Sequence, residues 1–316
     1  MKKVALISLT LLVLIGCLFF FTQQNLRKHQ LTRKGSYARI PLQFIGNNVL
    51  MDVEIEGEKY PIKLDLGASS QFTFFSETLK KIHEKKFLEF VTTIDVKGNE
   101  YKVNSYSIPY INAKNLSCKD AIVYEEPLEF VTQGARLWRA SNHKEIPIPF
   151  VGRIGRGCFT SNNLFIDFPN SMMFVTSDMD QLKMDHWPIC DLFEVPFEMG
   201  LWGIILSIET DVGIKRLILD TGASASVLKK YCLEDCKLQE IIPGKEIFTT
   251  KKFAMNKKDF GPFEFSVFEI TDSLDADGFL GIDFLKNYAV YLDFKHNKVF
   301  IGPSPKICGA IIFDKP

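Results

Sequence analysis

Two stretches of this chain are copies of one another. Residues from Ile40-Pro41 through Ser69 align without a gap on Val195-Pro196 through Ser224, at a constant offset of 155 (195 − 40). In that register Val49, Met51, Val53 and Ile55 fall on Ile204, Leu206, Ile208 and Thr210. Apolar residues recurring with period two mark a strand with one buried face. Each copy continues through a second short strand, Ile62-Lys63-Leu64 or Leu217-Ile218-Leu219, into an acidic residue and a glycine turn. The turns are Asp65-Leu66-Gly67-Ala68-Ser69 and Asp220-Thr221-Gly222-Ala223-Ser224, so the copies share polar chemistry as well as hydrophobic pattern. A repeat of this kind constrains the chain to two related β units.

A second pair of segments matches at a different spacing. Leu164-Phe165-Ile166-Asp167-Phe168 aligns on Val290-Tyr291-Leu292-Asp293-Phe294 at an offset of 126 (290 − 164). The offsets differ by 29 (155 − 126), so copy one carries that many extra residues between its turn and its last strands. We place them around Pro127 to Pro147, the stretch with Arg136, Trp138 and Arg139, as a long loop or small subdomain. Single cores stop growing near about 250–300 residues, which also favours two lobes in a chain of 316. The expected architecture is all-β: an N-terminal lobe over 36–178, a linker of weak periodicity over 179–187, and a C-terminal lobe over 188–316.

Residues 1–24 stand apart from these lobes. Lys2 and Lys3 precede an apolar run from Val4 to Phe21, about the minimum length for a spanning helix. It reads as an N-terminal apolar helix serving as an uncleaved signal anchor. Leu14-Ile15-Gly16-Cys17 resembles a bacterial lipobox, which keeps a lipoprotein signal as the alternative. Residues 25–35, with Arg27, Lys28, Arg33 and Lys34, read as a basic juxtamembrane linker. The expected partner of this end is a membrane, with the body outside the cytoplasm.

Composition removes several functions. Lys+Arg 38 against Asp+Glu 38 leaves no net charge, so no nucleic-acid partner is expected. The histidines at 29, 83, 143, 186 and 296 are scattered and form no HExxH motif, and Cys232 and Cys236 have neither a second cysteine pair nor a flanking histidine. No metal site and no cofactor are therefore expected. Outside Cys17, six cysteines are compatible with disulfides in an oxidising compartment.

Leu219-Asp220-Thr221-Gly222-Ala223-Ser224, followed 61 residues after the aspartate by Gly281 of Phe279-Leu280-Gly281, resembles the active-site loop and hydrophobic-hydrophobic-glycine element of a retropepsin-type aspartic protease. Asp277 through Leu285 is similar to a stretch of bacterial retropepsin-like proteins. The resemblance spans roughly residues 188–302, and 36–177 more loosely. It implies two acid-protease β-barrel lobes about a pseudo-twofold axis, fused in one chain as in pepsins, with Asp65 and Asp220 as the catalytic pair. Two carboxylates about 3 Å apart cannot both ionise, so one acts as base on a water while the other polarises the scissile carbonyl. Gly67 and Gly222 permit the close turn, Ser69 and Ser224 would hydrogen-bond the aspartates from behind, and Thr221 would bridge to the opposite loop.

Copy one departs from the family pattern twice. Leu66 stands where a threonine is expected, so half of the bridge is missing. Its glycine element is Arg153-Ile154-Gly155 by spacing but Phe150-Val151-Gly152 by residue type. Flaps in the family lie about thirty residues beyond the aspartate. In copy one that is Val96-Lys97-Gly98-Asn99, a hairpin turn signal, and in copy two it is near Thr249 to Phe253, where turn chemistry is poor. Lysine clusters at 251–258 and 80–86 read as solvated faces. The resulting expectation is a monomeric, membrane-tethered aspartic endopeptidase acting on polypeptide. The alternatives are a catalytically impaired peptide-binding or scaffold protein, or a protease active only as a homodimer through the C-terminal lobe.

Overall fold

The computed structural model describes residues 31–95, 98–126, 148–177, 179–184, 191–234 and 236–304. Strands dominate both copies. In copy one Asn48–Ile55 pairs antiparallel with Glu58–Asp65, and Val49, Met51, Val53 and Ile55 are all buried. In copy two Ile204–Thr210 pairs antiparallel with Gly213–Leu219, burying Ile204, Leu206 and Ile208. The period-two pattern thus turns its apolar face inward in each copy, because successive side chains of a strand point to opposite faces.

A short strand then runs parallel beside each second strand. Gly152–Gly155 lies along Glu58–Asp65 with Gly155 opposite Asp65, while Gly278–Leu280 lies along Gly213–Leu219 with Leu280 opposite Leu219. Gly281 therefore sits beside Asp220 as Gly155 sits beside Asp65. This register selects Arg153-Ile154-Gly155 as the glycine element of copy one. Gly152 is instead held against the neighbouring strand Phe72–Phe75, opposite Phe74.

The lobes are joined by a six-stranded antiparallel sheet to which each copy gives three strands. Its order is Tyr37–Pro41, Met172–Thr176, Asn163–Asp167, Ala289–Asp293, Lys298–Gly302 and Phe193–Met199. At its centre Leu164 pairs with Leu292 and Ile166 with Val290. Since 164 + 126 is 290 and 166 + 126 is 292, each pair is the image of the other, and the pseudo-twofold axis passes between them.

One segment differs from the sequence expectation. The 179–187 stretch opens with a helix, Met179–Met184, whose Leu182 is buried with Phe165, Phe174 and Tyr291 under the joining sheet; six residues are too few for a helical period to register in sequence. Copy one carries a long hairpin, Lys86–Ile94 with Glu100–Ala113, at the place of the sequence's turn signal, where copy two has a shorter one, Gln239–Ile242 with Lys245–Thr250. Of the lysine clusters, Lys80 and Lys81 lie on a helix, Ser76–Lys81, and face solvent.

The apolar run Val4 to Phe21, Cys17, the 127–147 insertion, Lys97, Cys190 and Cys308 lie outside the described residues. Among the described residues no helix is long and apolar enough to cross a membrane, and Cys118, Cys158, Cys232 and Cys236 are free thiols.

Because the joining sheet carries both lobes, they should unfold together. Ile166→Ala removes buried methyl groups at its centre and is expected to cost about 2–5 kcal/mol. Urea unfolding followed by circular dichroism and by tryptophan fluorescence should give coincident transitions, both moved to lower urea.

Candidate active site

The two glycine turns meet face to face between the lobes. A Cβ on Gly67 would lie 2.5 Å from Asp220 Cγ, and one on Gly222 would lie 2.5 Å from Asp65 Cγ. Each glycine thus makes room for the opposite aspartate, and alanine at either place would drive the carboxylates apart. The two carboxylates face each other closely enough for the charge of Asp65 to act on Asp220. Thr221, fully buried, accepts a hydrogen bond from Leu66 N–H and donates one to Leu64 C=O, both 2.9 Å. The reciprocal half of the bridge is absent, since Leu66 has no hydroxyl and buries its side chain in the core instead.

Backbone groups, rather than the serines expected from sequence, hold the aspartates. Ala68 N–H donates to Asp65 Oδ1 at 3.1 Å, and Gly222 N–H and Gly67 N–H donate to Asp220 Oδ1 at 2.7 and 3.2 Å. Ser69 is exposed, and Ser224 is half-buried with its carbonyl accepting from Asn47 Nδ2 at 2.9 Å. The turn aims its own N–H groups at the carboxylates, which leaves the fifth residue of each loop on its outer side. In copy two the hydroxyl behind the loop belongs to Ser226, which donates to Asp283 Oδ1 and accepts from Gly281 N–H.

Among the described residues three cations surround the pair. Arg153 Nη1 donates to Asp65 Oδ2 at 2.7 Å, while its Nε and Nη2 clasp the buried Glu126 carboxylate, which also accepts from Thr73 Oγ1. Lys63 Nζ donates to Gly222 C=O at 2.7 Å and stands over the Phe150 ring. Arg156 Nη1 donates to Gly67 C=O at 2.5 Å and to Trp202 C=O at 3.1 Å, tying a loop of lobe two to the Asp65 turn of lobe one.

None of Lys63, Glu126 or Arg156 was singled out by motif, yet the repeat carries a signal for part of this network. Lys63 aligns on Ile218 (63 + 155) and Arg153 on Phe279 (153 + 126). In copy two those residues pack with Ile205, Leu274, Ala276 and Trp202. Charge at an apolar position of a repeat marks the place where one copy has changed role.

The hairpin of copy one reaches across to lobe two, where a Cβ on Gly98 would stand 3.1 Å from Thr271 Oγ1. Asn99 fixes the tip through its N–H and Nδ2, both 2.9 Å from the Asp95 carboxylate. Gly98 has φ +84°, a left-handed turn conformation that favours glycine.

With this geometry in hand, comparison with solved structures is decisive for the fold. A soybean basic 7S globulin structure superimposes with a TM-score of 0.57 at 10% identity, covering 84% of this chain and 95% of that one. The aspartic proteinase from Irpex lacteus gives 0.57 and 10%, covering 85% and 98%. The fold is pepsin-like. At this identity the likeness speaks for the fold alone. No family model matches the sequence, and no curated protein matches it.

The electrostatics of the pair are unequal. Burial pushes the Asp65 carboxyl up, but Arg153, Lys63 and the Ala68 N–H together outweigh it and hold it below its ordinary 3.8. Asp220 is raised to about 7, by burial first and then by the negative charge of Asp65. Burial lowers Lys63, which the two aspartates only partly offset.

Two outcomes follow. Thr221→Val takes the hydroxyl partner from Leu66 N–H and Leu64 C=O where water does not reach, and each orphaned group costs about 1–3 kcal/mol; chemical denaturation should show a loss of about 2–6 kcal/mol. Asp220, with its folded-state value raised, contributes stability that is fully present below about pH 3.8 and lost as pH rises through 7. Asp65, with its value depressed, contributes stability present above 3.8 and lost as pH falls below it. The melting temperature should therefore decline from pH 4 to 7, and Asp220→Asn should flatten that decline.

Proposed function

We propose that the protein is an aspartic endopeptidase whose two lobes supply one carboxylate each within a single chain. The contact of Asp65 with Asp220, each lodged against the other's loop glycine, carries this reading. One carboxylate takes a proton from a water lying between the pair as the water oxygen bonds to the scissile carbonyl carbon. The other gives its proton to the carbonyl oxygen, producing a gem-diol. Collapse of the gem-diol breaks the C–N bond: the first carboxyl passes its proton to the leaving nitrogen, and the second recovers one from a gem-diol hydroxyl. Both carboxylates end as they began.

The substrate on this reading is a polypeptide lying in the cleft beneath the hairpin tipped by Gly98 and Asn99, which would exclude water during the reaction. The intramolecular pairing supports a monomer over a homodimer. Tethering through Val4 to Phe21, with the catalytic body outside the cytoplasm, belongs to the same proposal and rests on the apolar run.

A second reading has an observation of its own. Asp65 Oδ2 is occupied by Arg153, and Leu66 removes half of the bridge, as would suit a peptide-binding protein without turnover. Peptide-library cleavage by residues 36–316, scanned from acidic to neutral pH, separates the readings. Cleavage lost by at least a thousandfold in both Asp65→Asn and Asp220→Asn is the expected result, since removing one essential catalytic group costs about 10⁴–10⁶ in kcat. Loss in Asp220→Asn alone would point to a homodimer. Peptide binding without cleavage by the parent would favour the second reading.

A further inference from the structure

The repeat makes the two carboxylates equivalent, and the surrounding charges make them unequal. Facing Asp65 are Lys63 from its own strand, Arg153 from the parallel strand Gly152–Gly155, Arg156 from the turn that follows, and Asp220 from the other lobe. Facing Asp220 are Asp65, Lys63 and Arg156. Lys63 and Arg156 act on both members of the pair and hydrogen-bond to neither. Arg153 distinguishes them, since its guanidinium donates directly to Asp65 and makes no hydrogen bond to Asp220 among the described contacts.

Arg153 is also the best-anchored of the three cations. Its Nε and Nη2 form a fork on Glu126, which is 4% exposed and held in turn by Thr73. A planar guanidinium bound on one edge by a buried carboxylate has its other edge fixed in direction. The strand pairing supports this geometry, because Thr73 lies directly opposite Arg153 and Glu126 follows on the strand Leu116–Glu126. In copy two the corresponding position is Phe279, packed among apolar residues, so Asp220 has no such clamp.

We propose that Arg153, anchored on Glu126, is a positioning residue that fixes Asp65 as the ionised member of the pair and Asp220 as its proton carrier, widening the working range of the site toward acid pH. This rests on the reading of Asp65 and Asp220 as a catalytic pair. In that assignment Asp65 takes the proton of the attacking water, and Asp220 protonates the carbonyl oxygen. Activity is lost on the acid side when Asp65 takes up a proton, and on the neutral side when Asp220 releases its own. The directions found for the two carboxyls, down for Asp65 and up to about 7 for Asp220, agree with the geometry.

The test is the pH profile of kcat/KM for the parent, for Arg153→Lys, and for the double variant Arg153→Met with Glu126→Gln. The second substitution removes the carboxylate that would otherwise stay buried without its partner and threaten folding. An opposite charge at contact distance lowers a carboxyl by about 1–3 pH units. The double variant should therefore move the acid limb up by that amount, with a tenfold or greater loss near pH 4 and little change at pH 6, and Arg153→Lys should restore part of the shift. Titration of the two carboxyls by carbon-13 NMR, assigned through the Asp→Asn variants, reads the same quantity without substrate. In the parent Asp65 should stay ionised throughout, and in the double variant its titration should enter the pH range above 4. A folded double variant whose acid limb and Asp65 titration both stay in place would overturn the proposal, as would a uniform fall in kcat at every pH. Absence of cleavage by the parent, with the Asp65 titration moved in the double variant, would overturn the peptidase reading while upholding the role of Arg153.

Discussion

Everything at the centre of this molecule depends on two backbone turns approaching closely enough for each aspartate to lodge against the other's loop glycine. That approach is possible only because each turn presents a glycine to the other's aspartate, and it is held by Thr221, which spans from one lobe to two backbone groups of the other. Like charges at such a separation cannot both persist in a buried site. The protein must therefore either hold a proton on one of them or bring in positive charge; Asp220 is raised to about 7, and Arg153 and Lys63 stand beside Asp65.

The positive charge enters from one side. Copy two keeps an apolar cluster around Ile218 and Phe279, whereas copy one replaces the corresponding residues by Lys63, which donates to Gly222 C=O, and Arg153, which Glu126 and Thr73 anchor. A half-satisfied polar network in such a place would be worse than an apolar core. The fork of Arg153 is closed on both edges, which is the condition under which buried charge is tolerated. Duplication supplied two equal halves, and substitution at these positions made them unequal.

Much of the architecture was legible because a strand's period is two and the repeat displays it twice. Val49 to Ile55 and Ile204 to Thr210 declared their buried faces, and the turns Asp65-Leu66-Gly67 and Asp220-Thr221-Gly222 declared where the lobes would meet. The choice between Arg153-Ile154-Gly155 and Phe150-Val151-Gly152 was not legible, since residue type and spacing pointed to different glycines. Hydrogen-bond register decided it, setting Gly155 opposite Asp65. The serines illustrate the opposite limit: Ser69 and Ser224 stand at matched places in the loops, yet which way a turn faces its fifth residue depends on where the backbone N–H groups point.

By itself the sequence determined a duplicated all-β chain with one aspartate–glycine turn per copy, because periodicity and repetition are local and survive in one dimension. Only the tertiary structure decided that both aspartates fall in one site, that six strands from both copies form one sheet, and that Arg153 clamps one aspartate and not the other. Those facts are distances between residues far apart in the chain. Arg153 and Asp65 are 88 positions apart and in contact, and only the packing of the strands between them could show it.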